Sequence, residues 1–204
     1  MKIVHEEILF GGELLTNRAD LGKRLDEIRR AIRNVVWPAG SRTFTIRPVI
    51  DGNGVLPIKI GFMDRLRRYG WALESRPVLA EGLGPGKIDA ICKTPSGQQI
   101  AAEWETGNIS SSHRALNKMC VGILQHHLTG GVLILPDREL YNFLTQRIGN
   151  YKELAPYFPV YRNLAIHDGF LIVMAVSHDR SSAEAPLIPK GSDGNALLRA
   201  SRIQ

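Results

Sequence analysis

The chain has 204 residues, 44% of them hydrophobic and 23% charged, which suits one folded domain over residues 1–204 and argues against a disordered chain. No apolar run approaches the roughly 18 to 20 residues of a membrane-spanning helix; the best is Gly130 to Pro136, and Glu6, Glu7 and Glu13 interrupt the apolar N-terminal stretch, so neither an anchor nor a secretory leader is expected and the chain reads as cytoplasmic. Lysine and arginine number 26 against 20 acids, a net charge of +6 and a pI near 9.5, which favours a polyanionic partner; the two cysteines, Cys92 and Cys120, lack finger spacing and read as small buried hydrophobes.

In chain order, Asp20 is expected to cap a helix whose apolar residues Leu21, Leu25, Ile28, Ile32 and Val36 recur at helical spacing, among basic residues that include Arg29, Arg30 and Arg33. Pro57 suits the first turn of a second helix carrying Ile58, Phe62, Leu66 and Tyr69. Strand character follows over 71–80, 87–93 and 98–105, the last two joined by the turn Thr94-Pro95-Ser96-Gly97. A serine-rich cap, Ser110 to Ser112, opens a helix with Leu116, Met119 and Ile123. A buried strand at 131–135, a helix over 138–147, a short helix within 151–158 and a last strand at 170–176 complete the pattern, and 181–204 reads as an extended arm. Strands alternating with helices in this order predict an α/β domain, a mixed central sheet flanked by helices.

Glu103 and Glu105 are two apart on a predicted strand, so both side chains leave one face, while Trp104 points to the core. Asp89, on the neighbouring strand of the same hairpin, comes alongside. Three carboxylates together need a neutralising cation, and hard oxygen donors in an incomplete cage describe a Mg²⁺ site whose remaining shell is water and phosphate. That is the chemistry of phosphodiester hydrolysis. Solvated carboxylates on a strand give the same pattern without any such chemistry. The residues that follow sharpen it: Asn108, Ser110, Arg114 and Lys118 put amide, hydroxyl and cationic groups at a helix start, where phosphate binds well and where asparagine and arginine can read base edges.

The string Glu103-Trp104-Glu105-Thr106-Gly107-Asn108-Ile109-Ser110-Ser111, continuing to His113-Arg114 and Asn117-Lys118, resembles the active-site segment of the BamHI family of restriction endonucleases. Trp37-Pro38-Ala39 with Thr43-Phe44-Thr45-Ile46, then Gly54-Val55-Leu56-Pro57-Ile58-Lys59, and Pro186-Leu187-Ile188-Pro189-Lys190-Gly191-Ser192-Asp193-Gly194 agree in the same order. The resemblance implies a PD-(D/E)xK restriction-endonuclease-like fold, a homodimer, Mg²⁺, a double-stranded DNA substrate cut in both strands at a palindromic site, GGATCC, and a cognate DNA methyltransferase in the host. By position it implies Asp89 and Glu103 as metal ligands, with the carbonyl of Trp104 nearby, Glu74 at a second metal, and Glu105 as general base in place of the usual lysine. It places Asn108, Ser110, Arg114, Arg147 and Asp193 in the major groove and Gly191 in the minor groove.

Gln146 departs from the family, which has an aspartate there working with the arginine matched by Arg147 on the outer base pair; an amide donates or accepts where a carboxylate only accepts. The hairpin between Asp89 and Glu103 and the basic C-terminal tail are shorter than in the family. Read alone, Glu74 is a surface strand residue, Arg114 a solvated helix residue, and Arg147 a complement to a helix dipole; the stripe Leu116, Met119, Ile123 is core or, in part, a dimer face. Two rival functions stand beside a type II endonuclease: a less specific repair or resolvase-type nuclease of the same fold, and a non-catalytic DNA-binding protein with structural carboxylates.

Overall fold

The computed structural model describes residues 1–77, 79 and 86–190; part of the strand expected over 71–80, the connection at 81–85 and the arm beyond Lys190, with Gly191 and Asp193, lie outside these. The elements are β1 (Lys2–Phe10), α1 (Gly12–Asn17), α2 (Ala19–Arg33), β2 (Thr45–Ile46), α3 (Leu56–Arg68), β3 (Ala72–Ser75), β4 (Ile88–Lys93), β5 (Gln99–Trp104), α4 (Ile109–Leu124), β6 (Gly130–Pro136), α5 (Arg138–Tyr141), α6 (Tyr151–Leu154), a 3-10 turn (Ala155–Tyr157), α7 (Phe158–Arg162), β7 (Phe170–Ser177) and β8 (Arg180–Ser181). A six-stranded sheet runs β1-β7-β6-β5-β4-β3, and β2 pairs with β8 apart from it. Pairs β5/β6 and β6/β7 are parallel, whereas β1/β7, β4/β5 and β3/β4 are antiparallel, so the sheet is mixed, as expected.

Every residue of β6 and β7 is buried, which continuous apolar runs such as Val132-Leu133-Ile134-Leu135 permit because helices cover both faces. Val132, Ile134, Ile172, Met174 and Trp104 pack with Leu25, Ile28 and Ile32 of α2 and with Phe62 and Leu66 of α3. Leu133, Leu135, Leu171 and Val173 pack with Leu116, Met119 and Ile123 of α4 and with Phe158 and Tyr161 of α7. The α4 stripe is therefore core, each fully buried Leu or Ile contributing roughly 1.5 to 3 kcal/mol. Among the described residues no helix is long and apolar enough to cross a membrane.

The N-terminal stretch, for which the sequence predicted no element, is an edge strand, and the glutamates that break its apolar run tie it to both helical layers: Glu6 accepts from Arg29 Nε of α2 at 3.0 Å, and Glu7 pairs with Arg162 of α7. Three expectations need correction. Asp20 is not a cap; it lies in the first turn of α2 and accepts from Arg18 Nη2 at 2.9 Å and Ser96 Oγ at 2.9 Å. The cap of α4 is Asn108, whose Oδ1 accepts from Ser111 N at 3.1 Å, rather than a serine. Finally, α5 stops at Tyr141, short of Arg147. The backbone N–H groups of Asp51 and Asn53 donate to the carbonyls of Asn142 and Phe143 at 3.1 and 2.9 Å, and Thr145 N donates to Asn53 O at 2.7 Å. A loop from elsewhere in the chain thus takes the hydrogen bonds a longer helix would have made.

Candidate active site

Three adjacent strands bring three acids into one row. The pairing Ala90↔Ala102 of β4 and β5 sets Asp89 opposite Glu103 one step further on, and Leu73↔Ala90 with Ser75↔Ile88 sets Glu74 opposite Asp89. Asp89 and Glu103 are both 7% exposed. They are locked to the hairpin: Asp89 N donates to Glu103 Oε2 at 3.3 Å, and Trp104 N donates to Asp89 Oδ2 at 2.9 Å. The Trp104 ring holds β5 from beneath, 4.9 Å from the Phe62 ring of α3.

Two buried carboxylates side by side repel, and each is matched by an ammonium from a different helical layer. Lys59 of α3 lies 2.7 Å from Asp89 Oδ1, and Lys118 of α4 contacts Glu103 Oε1 while donating to Lys87 O at 2.8 Å. Burial, followed by the Asp89 charge, pushes the Glu103 carboxyl well above the ordinary carboxylate value, with Lys118 pulling the other way. Burial works against the charge on Lys59, yet Asp89 outweighs it and holds the ammonium above its usual value, with smaller help from Glu103 and Glu74. The arrangement demands positive charge.

Glu74 and Glu105 stand aside from this pair. Glu74 sits at φ 51, in the left-handed region inside a strand, and its exposed carboxylate meets Lys87 Nζ at 3.0 Å. Such strain in a non-glycine residue costs of order 1 to 3 kcal/mol. β5 ends at Trp104, so Glu105 no longer follows the strand alternation, and its Oε1 accepts from Gly107 N at 2.6 Å. Among the described residues no three acidic, histidine or cysteine side chains converge as a metal cage; Asp89 and Glu103 lie together, and Glu105 stands apart from them. Two carboxylates still fit a hard divalent cation of the magnesium type, which is commonly held by one or two carboxylates with water and phosphate completing the shell.

Beside the pair lies an exposed edge. Asn108, Ser110 and Arg114 are exposed at the start of α4, and Gln146 and Arg147 are exposed on the turn after α5. That turn is pinned to α4: Gly149 N donates to Gly107 O at 2.8 Å, and a Cβ on Gly149 would lie 2.8 Å from Ser112 Oγ. The loop 51–54 and the arm reach the same place, with Gly54 N donating to Ile188 O at 2.8 Å. Thus four stretches far apart in sequence form one rim. Lys59, which sequence reasoning passed over as a site residue, had no local signal, since only the packing of α3 brings it to Asp89. The loop residues Asp51 and Asn53 were missed for the same reason.

The chain matches the family model described as "Restriction endonuclease BamHI" over residues 1–195. It is 50% identical over 173 residues to the type II restriction enzyme OkrAI of Oceanobacter kriegii, covering 85% of this chain and 89% of that protein. It is 33% identical over 190 residues to the type II restriction enzyme BamHI of Bacillus amyloliquefaciens, covering 89% and 86%. The crystal structure of restriction endonuclease BglII complexed with a DNA 16-mer has a similar fold, with a TM-score of 0.61 at 11% identity over 88% of this chain and 79% of that one. The carboxylate pair on a mixed sheet, the rim beside it and the extent of these matches place the chain in the BamHI family of type II restriction endonucleases, site-specific deoxyribonucleases.

Proposed function

We propose that the protein acts as a homodimer that hydrolyses one phosphodiester bond in each strand of the palindromic duplex GGATCC, with Mg²⁺ as cofactor. The observation that carries this reading is the buried Asp89–Glu103 pair on adjacent strands, directly beside a rim of exposed polar and cationic groups. Held between these carboxylates, Mg²⁺ would supply Lewis-acid chemistry, lowering the pKa of the attacking water and neutralising charge on phosphate. Glu103 and Asp89 would hold the cation together with the Trp104 carbonyl, and Glu74, on the next strand, would serve a second cation. Glu105 accepts the proton of the attacking water, since its Oε1 is oriented by Gly107 N. Lys59 and Lys118, which pair with these carboxylates, would steady the scissile phosphate once the cation takes their place.

Asn108, Ser110 and Arg114 read the major groove from α4, and Gln146 with Arg147 reads the outer base pair. The family resemblance assigns Gly191 to the minor groove and Asp193 to the major groove. Such an enzyme works in the cytoplasm alongside a cognate methyltransferase that protects the host's own sites. The test is digestion of a sequenced plasmid with and without EDTA, followed by end mapping. Discrete, magnesium-dependent fragments whose ends map to GGATCC sites are expected. A smear, or cutting confined to junctions, would favour a repair or resolvase-type nuclease, and retardation on a gel without cutting would leave a DNA-binding protein.

A further inference from the structure

Asp51 lies outside every functional assignment made so far, yet it is the acid on the base-facing rim. Gln146 Nε2 donates to Asp51 Oδ2 at 3.0 Å, and among the described residues neither Asp51 nor the exposed Arg147 forms an ion pair. The placement of Asp51 is built in. Its N–H donates to Asn142 O at 3.1 Å. Two residues on, the fully buried Asn53 donates through Nδ2 to Arg47 O and Phe143 O, both at 2.9 Å, and accepts from Ile188 N at 3.1 Å. Asp51 and Arg147 both adopt the left-handed region, φ 54 and φ 70. Asp tolerates this conformation, but for Arg it is uncommon and points to a constraint worth explaining by function.

The chemistry of the contact is one-sided. A primary amide has an oxygen that accepts and a nitrogen that donates, and a free glutamine turns either end toward a base. An ionised carboxylate only accepts, so beside Asp51 the amide has one favourable orientation, nitrogen toward Asp51 and Oε1 away from it. We infer that Asp51 is a specificity-positioning residue: it fixes the Gln146 amide so that its oxygen faces the duplex as an acceptor, making the Gln146–Arg147 pair selective for a C·G outer base pair. Cytosine offers the N4 donor to that oxygen and guanine offers O6 and N7 to Arg147, whereas thymine at the same place presents O4, a second acceptor, and is rejected. The inference rests on the proposed reading that Gln146 and Arg147 face the outer base pair. It explains how a chain with glutamine at this position keeps the acceptor character of a carboxylate: the acid sits one residue deeper and acts through the amide.

The test uses the full chain and a labelled GGATCC duplex in EDTA, competed by unlabelled duplexes in which the outer, middle or inner base pair of each half-site is replaced. Asp51→Ala and Asp51→Asn should each lose about tenfold of the preference for C·G over T·A at the outer pair, with discrimination at the middle and inner pairs unchanged; the melting temperature should hold in the asparagine variant, which tolerates φ 54 as aspartate does, and fall slightly in the alanine variant. The swap Asp51→Asn/Gln146→Asp, which exchanges acid and amide, should restore the outer-pair preference. Full outer-pair discrimination in both Asp51 variants, or equal loss at all three pairs, would overturn the inference. In that event Arg147→Ala separates the layers. If it relaxes the outer pair, the DNA-facing reading survives and only the role of Asp51 falls; if it leaves the outer pair untouched, that reading fails and the inference with it.

Discussion

The carboxylate pair and the base-facing rim lie side by side but are held by different means. Asp89 and Glu103 sit on paired strands in the hairpin, buried, each against a lysine from a different helical layer. The rim is made of exposed side chains at the start of α4 and on turns, and its order comes from backbone hydrogen bonds among segments near residues 51–54, 142–149 and 186–190. One region is rigid because the sheet is rigid. The other is rigid because a single buried side chain, Asn53, ties three loops together. Chemistry and selectivity should therefore fail separately when each is perturbed.

The largest expected effect is on the pair. Asp89→Asn and Glu103→Gln keep shape and remove the charge that a divalent cation requires, so cleavage should fall about 1,000-fold or more, the equivalent of several kcal/mol of lost charge stabilisation. Affinity for DNA in EDTA should hold or rise, because a negative charge beside the phosphate has gone. Cleavage within tenfold of the parent in both variants would break the division between the two regions at its root.

Next comes the tie. Asn53→Ala removes a donor from Arg47 O and from Phe143 O, which keeps only the Asn53 N–H, and strips the acceptor from the buried Ile188 N, at a cost of about 3 kcal/mol, measurable by chemical denaturation. Preference among substituted sites should broaden as well, whereas the cleavage rate on GGATCC at saturating protein should drop less than in the carboxylate variants. An equal loss of chemistry would show that the rim is part of the catalytic centre after all.

A smaller effect is expected at Lys118. Removing its ammonium removes a competitor for the Glu103 carboxylate, so Lys118→Met should reach half-maximal cleavage at roughly tenfold less Mg²⁺. The sign depends on pH. Burial and the Asp89 charge raise the proton affinity of Glu103, and Lys118 opposes them; without the lysine, Glu103 holds its proton to still higher pH, so the gain should grow as pH rises and shrink or reverse as pH falls toward neutrality. A magnesium requirement unchanged at every pH would mean that the lysine and the cation do not share the site.

These two regions also differ in how far the sequence disclosed them. The hairpin was legible, because the short, mostly apolar runs Ile88–Lys93 and Gln99–Trp104 and the Thr94–Gly97 turn between them are local signals, and the Asp89–Glu103 pairing follows from register alone. The third acid was not: strand alternation was extended to Glu105, but β5 ends one residue earlier and the side chain turns back to Gly107 N. The edge strand β1 was hidden because Glu6 and Glu7 look like solvent-facing breaks, and only the arginines of α2 and α7 make them structural. The run 138–147 has helical periodicity, yet Asn53 and its neighbours claim the carbonyls that would have extended it. Misreadings cluster where distant segments compete for backbone groups.

Asn108 gives the finest separation, since one side chain serves both demands. Its Oδ1 caps α4 by accepting from Ser111 N at 3.1 Å, and its amide nitrogen is the donor available to a base or phosphate. Asn108→Ala removes both functions, costing about 1 kcal/mol of helix stability together with affinity. Asn108→Asp keeps an acceptor at the cap and adds a negative charge at a helix N-terminus, which the helix dipole favours by about 0.3 to 1 kcal/mol, while deleting the donor and setting that charge against DNA. The aspartate variant should melt at or slightly above the parent temperature and yet bind GGATCC more weakly than the alanine variant. Should it bind as tightly as the parent, the amide nitrogen does not meet the duplex, and the role of Asn108 contracts to holding the helix that carries Ser110 and Arg114.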